Sequence, residues 1–270
     1  MKAHEARVLL TGASGGIGRA MASALQGAGA AVLGVGRAAA SPLPPGQDWL
    51  QADLDTAAGV ASVAGTAATW RANVVVLAAG APAFGPLAGT PAAQMQAVLQ
   101  ANLLAPMQLS QALLPYLQCL PVAQLVFVGS ALGRIGVPGF SVYGASKAGL
   151  HGFAESLRRE LAGGPVRVQT LAPRSTRTAF NGAEVDAYNR ATGTAMDSPQ
   201  VVATELLKII ESEAAEQFIG FPERLAVRLN GLLGGLLDSS FAKHRRSLTA
   251  VPSAVTPPLT PPVITGTRRS

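Results

Sequence analysis

The sequence contains a single cysteine, few charged residues and few aromatic rings. Cys119 has no partner within the chain, which excludes an internal disulfide. Charged residues make up 13% of the chain and hydrophobic residues 49%, so disorder of the whole chain is excluded. No apolar run reaches the roughly 18 residues that span a bilayer, and the N-terminus has no pattern typical of a signal peptide. These absences predict one cytoplasmic domain with a sizeable core.

Metal ions and nucleic acids also lack their usual signals. The three histidines are widely separated and there is one cysteine, so no metal site is predicted. The net charge is +6, but the basic residues are scattered, and no basic run is combined with stacking aromatic residues. We expect a solvated, arginine-rich surface and no nucleic acid partner.

Short apolar segments alternate with helical segments along most of the chain. The apolar segments lack polar alternation, as parallel strands covered on both faces do. This order predicts an α/β fold with a doubly wound, Rossmann-like and mostly parallel sheet. Strands are expected at Arg7–Leu10, Ala31–Val35, Val74–Ala78, Gln124–Val128, Val166–Leu171 and Gln217–Gly220, and helices at Gly16–Gln26, Thr56–Thr69, Pro91–Leu117, Ala145–Leu161 and Pro199–Ser212.

The predicted domain covers residues 1–246. Within it, the polar segment 174–199 is expected to be an irregular insertion that covers a site, and the apolar segment 222–238 is expected to be a helix. This helix is expected to form a lid over the cleft or a subunit contact. Alternatively, with the basic residues up to position 246, it makes a weak contact with a membrane surface. Residues 247–270 are rich in proline and predict a flexible tail.

A glycine-rich loop joins the first strand to the first helix. Glycines let the backbone turn tightly and approach a pyrophosphate, and the helix N-terminus offers free N–H groups to the anion. The strand before the loop and the alanine-rich helix after it favour a dinucleotide site over a turn without a ligand. The predicted cofactor-binding residues of this loop are Thr11, Gly12, Ser14, Gly16, Ile17 and Gly18.

The residue that follows the second strand indicates which dinucleotide binds. Arg37 stands about twenty residues beyond the loop, where NAD-binding chains carry a carboxylate for the ribose 2′-hydroxyl. A guanidinium suits a 2′-phosphate instead, so NADP(H) is the expected cofactor. The alternative is an exposed loop arginine without a ligand.

Tyr143 and Lys147 are the predicted acid–base pair. Their four-residue spacing puts them on one face of a helix. Free tyrosine has a pKa near 10, so it is a poor base at neutral pH. We expect the Lys147 ammonium group, helped by the positive charge of an oxidised nicotinamide, to lower the pKa of Tyr143.

The Thr-Gly-x-x-x-Gly-x-Gly loop and the Tyr-x-x-x-Lys pair resemble the motifs of the short-chain dehydrogenase/reductase family. The resemblance covers residues from about 7 to about 220. It implies that Ser130, thirteen residues before Tyr143, orients the substrate oxygen. It also implies that the carbonyl of Asn102, which Pro106 cannot bond within the helix, holds a water that links Lys147 to solvent.

The same resemblance implies further cofactor contacts. Asp53 matches an adenine-contacting aspartate, although it could instead cap the helix that follows. Arg174 departs from the family pattern, because it replaces the usual glycine and adds bulk and charge beside the nicotinamide. The further cofactor contacts implied are Asp53, Ala79, Gly80, Tyr143, Lys147, Pro173 and Thr178.

These features predict reversible hydride transfer between NADP(H) and a ketone or secondary alcohol. The alternatives are a non-catalytic NADP-binding module that senses redox state, and an epimerase or dehydratase on the same fold. An apolar substrate is expected, and 3-ketoacyl or other lipid-like, steroid-like and aryl carbonyls are candidates. The apolar residues expected to rim the cleft are Phe84, Leu132, Ile135, Val137 and Phe140.

Two long helices predict self-association. The segments Pro91–Leu117 and Ala145–Leu161 carry few charges to keep their outer faces in water. The family resemblance implies that they pair across a two-fold axis, which gives a homodimer or homotetramer. His151, one turn beyond Lys147, is expected on the helix surface or in this interface.

Overall fold

The centre of the fold is a sheet of parallel strands. The computed structural model describes residues 1–220 and 241–249, and all statements on structure refer to these. The strands are β1 (Arg7–Thr11), β2 (Ala31–Gly36), β3 (Asp48–Gln51), β4 (Val74–Leu77), β5 (Ala123–Val128), β6 (Val166–Ala172) and β7 (Glu216–Phe218). Their order in the sheet is β3-β2-β1-β4-β5-β6-β7, and every neighbouring pair is parallel.

Helices cover both faces of the sheet. They are α1 (Gly16–Gly27), α2 (Ala57–Thr69), α3 (Ala92–Leu99), α4 (Ala105–Leu117), α5 (Ser141–Glu160), α6 (Ala183–Thr192), α7 (Pro199–Ser212) and α8 (Ala242–Thr249). One apolar core lies between the sheet and helices α1 and α7, and a second lies between the sheet and helices α2, α4 and α5. Because both faces are covered, the central strands β4 and β5 are buried along their whole length. The predicted doubly wound fold is therefore confirmed.

The edge strand β3 has no counterpart among the predicted strands. It is only four residues long, and its end residues Asp48 and Gln51 are exposed. A short strand at a sheet edge buries little, so its sequence shows no continuous apolar run. Its pairing with β2 depends on the fold and not on its own pattern.

The helix predicted over Pro91–Leu117 is interrupted in its middle. A π-helical segment, Gln100–Leu104, separates α3 from α4, and the Ala105 N–H bonds the Gln100 carbonyl five residues earlier. Pro106 explains the interruption, because it has no N–H to offer to the carbonyl of Asn102. The bend expected at Asn102 is thus a widened turn of helix.

The segment 174–199 is not irregular, and this prediction was wrong. It contains α6, which begins after Gly182 and ends at Thr192, and Gly193, with a φ of 74°, forms its left-handed C-cap. The helix is short and largely polar, so it lacks a strong apolar period, but its buried Val185 and Tyr188 anchor it.

The C-terminal predictions lie partly outside the described residues. The helix predicted over 222–238 falls within the undescribed residues 221–240, and so does most of the proposed membrane contact over 222–246. Residues 247–249, which were predicted to start the tail, belong to α8, and the rest of the tail is not described. None of the described helices is long and apolar enough to cross a membrane.

Candidate active site

A cavity of about 940 Å³ opens at the carboxyl ends of the central strands. In a doubly wound sheet this edge collects the loops that follow the strands, so residues distant in sequence meet there. No cluster of histidine, cysteine, aspartate or glutamate that could hold a metal ion occurs among the described residues. The predicted residues that line the cavity are Gly12, Ser14, Gly16, Ile17, Gly18, Arg37, Asp53, Ala79, Gly80, Ser130, Tyr143, Lys147, Pro173 and Thr178.

The glycine loop leaves no room for side chains. Gly12 has a φ of 66°, and a Cβ there would lie 2.8 Å from the Ala79 backbone. A Cβ on Gly16 would lie 2.7 Å from Cγ2 of Thr178. No side chain caps the N-terminus of α1 at Gly15, so its first N–H groups are available to an anion. These features fit a dinucleotide whose pyrophosphate lies against this loop.

Thr11 and Asn102 lie behind the wall of the cavity and do not line it. The Thr11 hydroxyl accepts hydrogen bonds from the N–H groups of Ala78 (3.0 Å) and Ala79 (3.1 Å). Asn102 is fully buried, and its amide exchanges two hydrogen bonds with the Ala81 backbone, at 2.7 and 3.0 Å. The two side chains therefore hold the loop after β4, which carries Gly80.

Ser130, Tyr143 and Lys147 converge from β5 and α5. The hydroxyl of Ser130 accepts a hydrogen bond from the Leu132 N–H at 3.1 Å, and it is close enough to the Tyr143 hydroxyl to lower the pKa of that group. Lys147 lies one turn along the helix, with Nζ 5.9 Å from the centre of the Tyr143 ring. Its ammonium group donates to the Val128 carbonyl at 3.0 Å. The hydroxyl groups of Ser130 and Tyr143 and the buried ammonium group of Lys147 thus lie together at one end of the cavity.

Burial dominates the ionisation of this group. Burial raises the pKa of Tyr143 to about 12 and outweighs the lowering effect of the Ser130 hydrogen bond. Burial also lowers the pKa of Lys147 to about 8. The lowering expected from the Lys147 ammonium includes the positive charge of a bound oxidised nicotinamide, so it stays a prediction. At neutral pH Tyr143 is protonated, which suits a proton donor.

Arg37 and Asp53 lie at the opposite end of the cavity. Arg37 is exposed at the end of β2, and Arg19, which the sequence analysis did not single out, lines the same cavity from α1. Asp53 accepts a hydrogen bond from the Asp55 N–H at 3.1 Å. The cap of α2 is Thr56, which accepts from the Gly59 N–H, so the alternative role of Asp53 as helix cap is wrong.

Arg174 forms an ion pair within the insertion. Its guanidinium makes two hydrogen bonds to the carboxylate of Asp197, at 2.9 and 2.7 Å. The charge that Arg174 adds beside the nicotinamide position is therefore compensated by a carboxylate. Residues of this segment line the cavity, and they include aromatic side chains that the sequence pattern did not single out. The aromatic residues that the insertion and the segment 241–249 add to the wall are Phe180, Tyr188, Phe241 and His244.

His151 is buried, so its expected place on a surface or in an interface was wrong. Only 2% of the residue is exposed, and its Nε2 lies 3.2 Å from the carbonyl oxygen of Ser130. The ring stacks on Phe218 at a centroid distance of 5.8 Å. The signal available in the sequence was its position four residues after Lys147, on the inward face of α5.

Comparison with known proteins agrees with this geometry. The short chain dehydrogenase family matches residues 6–189. The chain belongs to this family. Its relatives include the ketoacyl reductase HetN of Nostoc sp., which is 32% identical over 54% of this chain and 51% of HetN. The 3-oxoacyl-[acyl-carrier-protein] reductase FabG of Vibrio harveyi is 28% identical over 77% of this chain and 90% of FabG. The match thus spans about half of HetN and most of FabG.

Solved structures of short-chain dehydrogenases have the same fold. One from Burkholderia cenocepacia, in complex with NADP, superposes with a TM-score of 0.79 over 90% of this chain and 99% of that one, at 22% identity. A second from the same organism, also with NADP, gives a TM-score of 0.71 at 26% identity, over 83% and 98% of the two chains. The chain is therefore an oxidoreductase by family, and the family uses a nicotinamide cofactor.

Proposed function

We propose that this short-chain dehydrogenase reduces an apolar ketone to a secondary alcohol with NADPH, and catalyses the reverse reaction with NADP⁺. The observation that carries the proposal is the meeting of Ser130, Tyr143 and Lys147 in the cavity that also contains the glycine loop. An acid, a hydrogen-bond donor and a cation stand together at the edge where a dinucleotide fits.

Each side chain of the site has a separate role in the reduction. NADPH, when bound, supplies the hydride that reaches the carbonyl carbon. Ser130 donates a hydrogen bond to the carbonyl oxygen and orients it, and Tyr143 gives its proton to that oxygen as the carbon is reduced. The Lys147 ammonium stabilises the resulting tyrosinate. The carbonyl of Asn102 would hold the water through which the proton is replaced from solvent.

Two arginines support NADP(H) as the cofactor. Arg19 and Arg37 line the end of the cavity near Asp53, where the adenosine half of a dinucleotide would lie if its pyrophosphate contacts the glycine loop. Guanidinium groups bind phosphate strongly, so they favour the 2′-phosphorylated cofactor. The second Burkholderia cenocepacia neighbour, with NADP in its structure, supports the same choice.

The expected assembly is a homodimer or homotetramer in the cytoplasm. Leu99 and Leu104 are 41% and 44% exposed in the region where α3, the π-helical segment and α4 meet. Exposed leucines of this kind favour burial in a subunit contact. The names of the ketoacyl reductase relatives support a carbonyl substrate.

The activity is tested by NADPH consumption across a panel of ketones of graded size, with the wild type and Tyr143→Phe. Net oxidation of NADPH by a ketone separates reduction from redox sensing, epimerisation and dehydration. Tyr143→Phe removes only the hydroxyl, so we expect turnover to fall by roughly 10² to 10⁴ while cofactor affinity stays nearly unchanged. Retention of more than about a tenth of the wild-type rate would exclude Tyr143 as the proton donor. Tyr116→Phe, far from the cavity, is the matched control.

A further inference from the structure

The cavity gathers most of the phenyl rings of a chain that has few. Aromatic residues make up only 5% of the sequence, with eight phenylalanines and three tyrosines. Six of these eleven side chains line the cavity, together with His244. The six residues are Phe84, Phe140, Tyr143, Phe180, Tyr188 and Phe241.

The rings form one continuous chain of contacts that includes the proposed proton donor. Tyr143 contacts Phe180 at 6.2 Å and Phe140 at 6.5 Å between ring centroids, both edge to face. Phe140 contacts Phe84 at 4.9 Å and Tyr188 at 5.8 Å. These distances lie within the range in which aromatic rings attract each other.

The arrangement is held in place by the insertion. The Tyr188 hydroxyl donates to the Pro138 carbonyl at 2.9 Å, and the ring packs on Phe84 at 5.0 Å. A preformed wall of rings suits a flat and rigid ligand, because such a ligand loses little conformational entropy on binding. An acyl chain would gain no more binding free energy from aromatic side chains than from leucine or isoleucine, and it would lose its rotational freedom on binding.

We propose that the substrate is an aromatic or fused-ring ketone, with its flat ring between the aromatic side chains and its carbonyl at Tyr143. This inference rests on the proposed function and adds the substrate class. This substrate class differs from that of an enzyme that reduces a linear 3-ketoacyl substrate.

The test compares ketones that differ only in ring saturation. 4-Phenylbutan-2-one and 4-cyclohexylbutan-2-one have unconjugated carbonyls with equal surroundings, so their chemical reactivity is matched. We expect kcat/KM for the phenyl ketone to exceed that for the cyclohexyl ketone by about tenfold, and a naphthyl analogue to exceed it further. Phe140→Leu should bring this ratio close to one. Phe153→Leu, which removes a ring packed on Phe127 in the core, should leave the ratio unchanged.

Each outcome bears on one claim. A ratio near one in the wild type, or a higher kcat/KM for a linear 3-ketoacyl thioester, would overturn the aromatic substrate while leaving ketone reduction intact. If no ketone is reduced, the proposed function fails, and calorimetric binding of the two matching alcohols to the NADP⁺ complex still tests the wall. Equal affinity of the two alcohols would then overturn the inference as well.

A second, independent inference concerns His151. Its imidazole occupies space that two glycines leave open on either side of Ser130. A Cβ on Gly129 would lie 2.8 Å from Nε2, and a Cβ on Gly133 would lie 2.7 Å from Cδ2. The ring thus fits closely against the backbone that carries the Ser130 hydroxyl.

Both ring nitrogens of His151 face oxygen atoms. Nε2 is 3.2 Å from the Ser130 carbonyl, and Nδ1 is 3.5 Å from Oε1 of Glu216. The same Glu216 oxygen is 3.2 Å from the Arg134 guanidinium. Since a carbonyl oxygen can only accept, Nε2 carries a proton and donates a hydrogen bond to the backbone carbonyl of Ser130. We infer that His151 is a positioning residue that fixes Ser130 against the substrate oxygen.

The test compares two replacements of His151. His151→Gln keeps an N–H group at the place of Nε2, whereas His151→Leu keeps only the bulk. We expect His151→Leu to lower kcat by roughly 10- to 100-fold with little change in the KM for NADPH, because a small displacement of an orienting group is costly. His151→Gln should recover most of the rate.

The kinetics of the two variants decide this second inference. A kcat for His151→Leu close to that of the wild type, or equal losses in both variants, would overturn it. If His151→Leu does not fold, Gly129→Ala takes its place, since its methyl group displaces the imidazole and should lower kcat in the same way. If no ketone is reduced, the NMR shift of the Ser130 carbonyl still tests the contact, and it must move in the leucine variant but not in the glutamine variant.

Discussion

At the scale of single residues, burial sets the protonation states on which reduction depends. Lys147 has its pKa lowered by burial to about 8, while the pKa of Tyr143 is raised to about 12. As pH rises through 8, Lys147 loses its charge but Tyr143 keeps its proton. We expect the reductive kcat/KM to be level near neutral pH and to fall as pH rises through about 8, because the tyrosinate then lacks its cation.

A pH profile of ketone reduction checks this expectation. Lys147→Arg is the control, because a guanidinium stays charged over this range and should abolish the fall, whatever its effect on the absolute rate. A wild-type rate that stays level until pH values near 10, the ordinary range of tyrosine and lysine, would contradict the role of burial.

Arg37 carries the prediction on cofactor choice. We expect kcat/KM to favour NADPH over NADH, and Arg37→Asp to erase or reverse this preference through repulsion of the 2′-phosphate. Steady-state kinetics with both cofactors measure the ratio. Lys208→Asp makes the same change in net charge on the exposed face of α7, so it should leave the ratio as it is. Equal use of both cofactors by the wild type would refute the assignment.

At the scale of secondary-structure elements, an ion pair joins the two ends of the segment 174–199. Besides the two side-chain hydrogen bonds from Arg174, the Asp197 backbone bonds Ser175 and Arg177, each at 2.9 Å. The side chain of Asp197 is only 12% exposed. These contacts anchor the segment that carries α6 and Tyr188 over the cavity.

Breaking this ion pair should loosen the segment 174–199 more than it disturbs the cofactor site. We expect Asp197→Asn to lower the free energy of unfolding by about 1–3 kcal/mol and to raise the KM of the ketone more than that of NADPH. Denaturant unfolding and steady-state kinetics measure the two effects. Lys208→Ala breaks a surface pair with Glu205, in which the lysine is 65% exposed, and should change stability by less than about 0.5 kcal/mol. Equal effects of both variants would argue against an anchoring role.

At the scale of the whole molecule, the exposed leucines near the π-helical segment predict self-association. We expect light scattering at micromolar concentration to give the mass of a dimer or tetramer, and Leu104→Glu to shift it towards the monomer by placing a charge in the contact. Val122→Glu is the matched control, since Val122 is similarly exposed, at 40%, in the loop before β5. A monomeric wild type would contradict the prediction.

Much of this protein is determined by patterns that are local in sequence. Buried strands such as β4 and β5 are continuous apolar runs, and the glycine loop needs only a strand before it and a helix after it. Tyr143 and Lys147 lie one helical turn apart, so their shared face follows from helix geometry. Pro106 similarly predicts the interruption of the helix at Asn102 from its missing N–H.

The tertiary structure decided what depends on neighbours far along the chain. The edge strand β3 forms because β2 pairs with it through hydrogen bonds. The helix α6 is held in place because its Val185 and Tyr188 are buried against the rest of the fold. The burial of Tyr143 depends on such distant neighbours as well. The sequence reveals the cation four residues away, but not the depth of burial, which is set by elements from the whole fold and which raises the pKa of Tyr143.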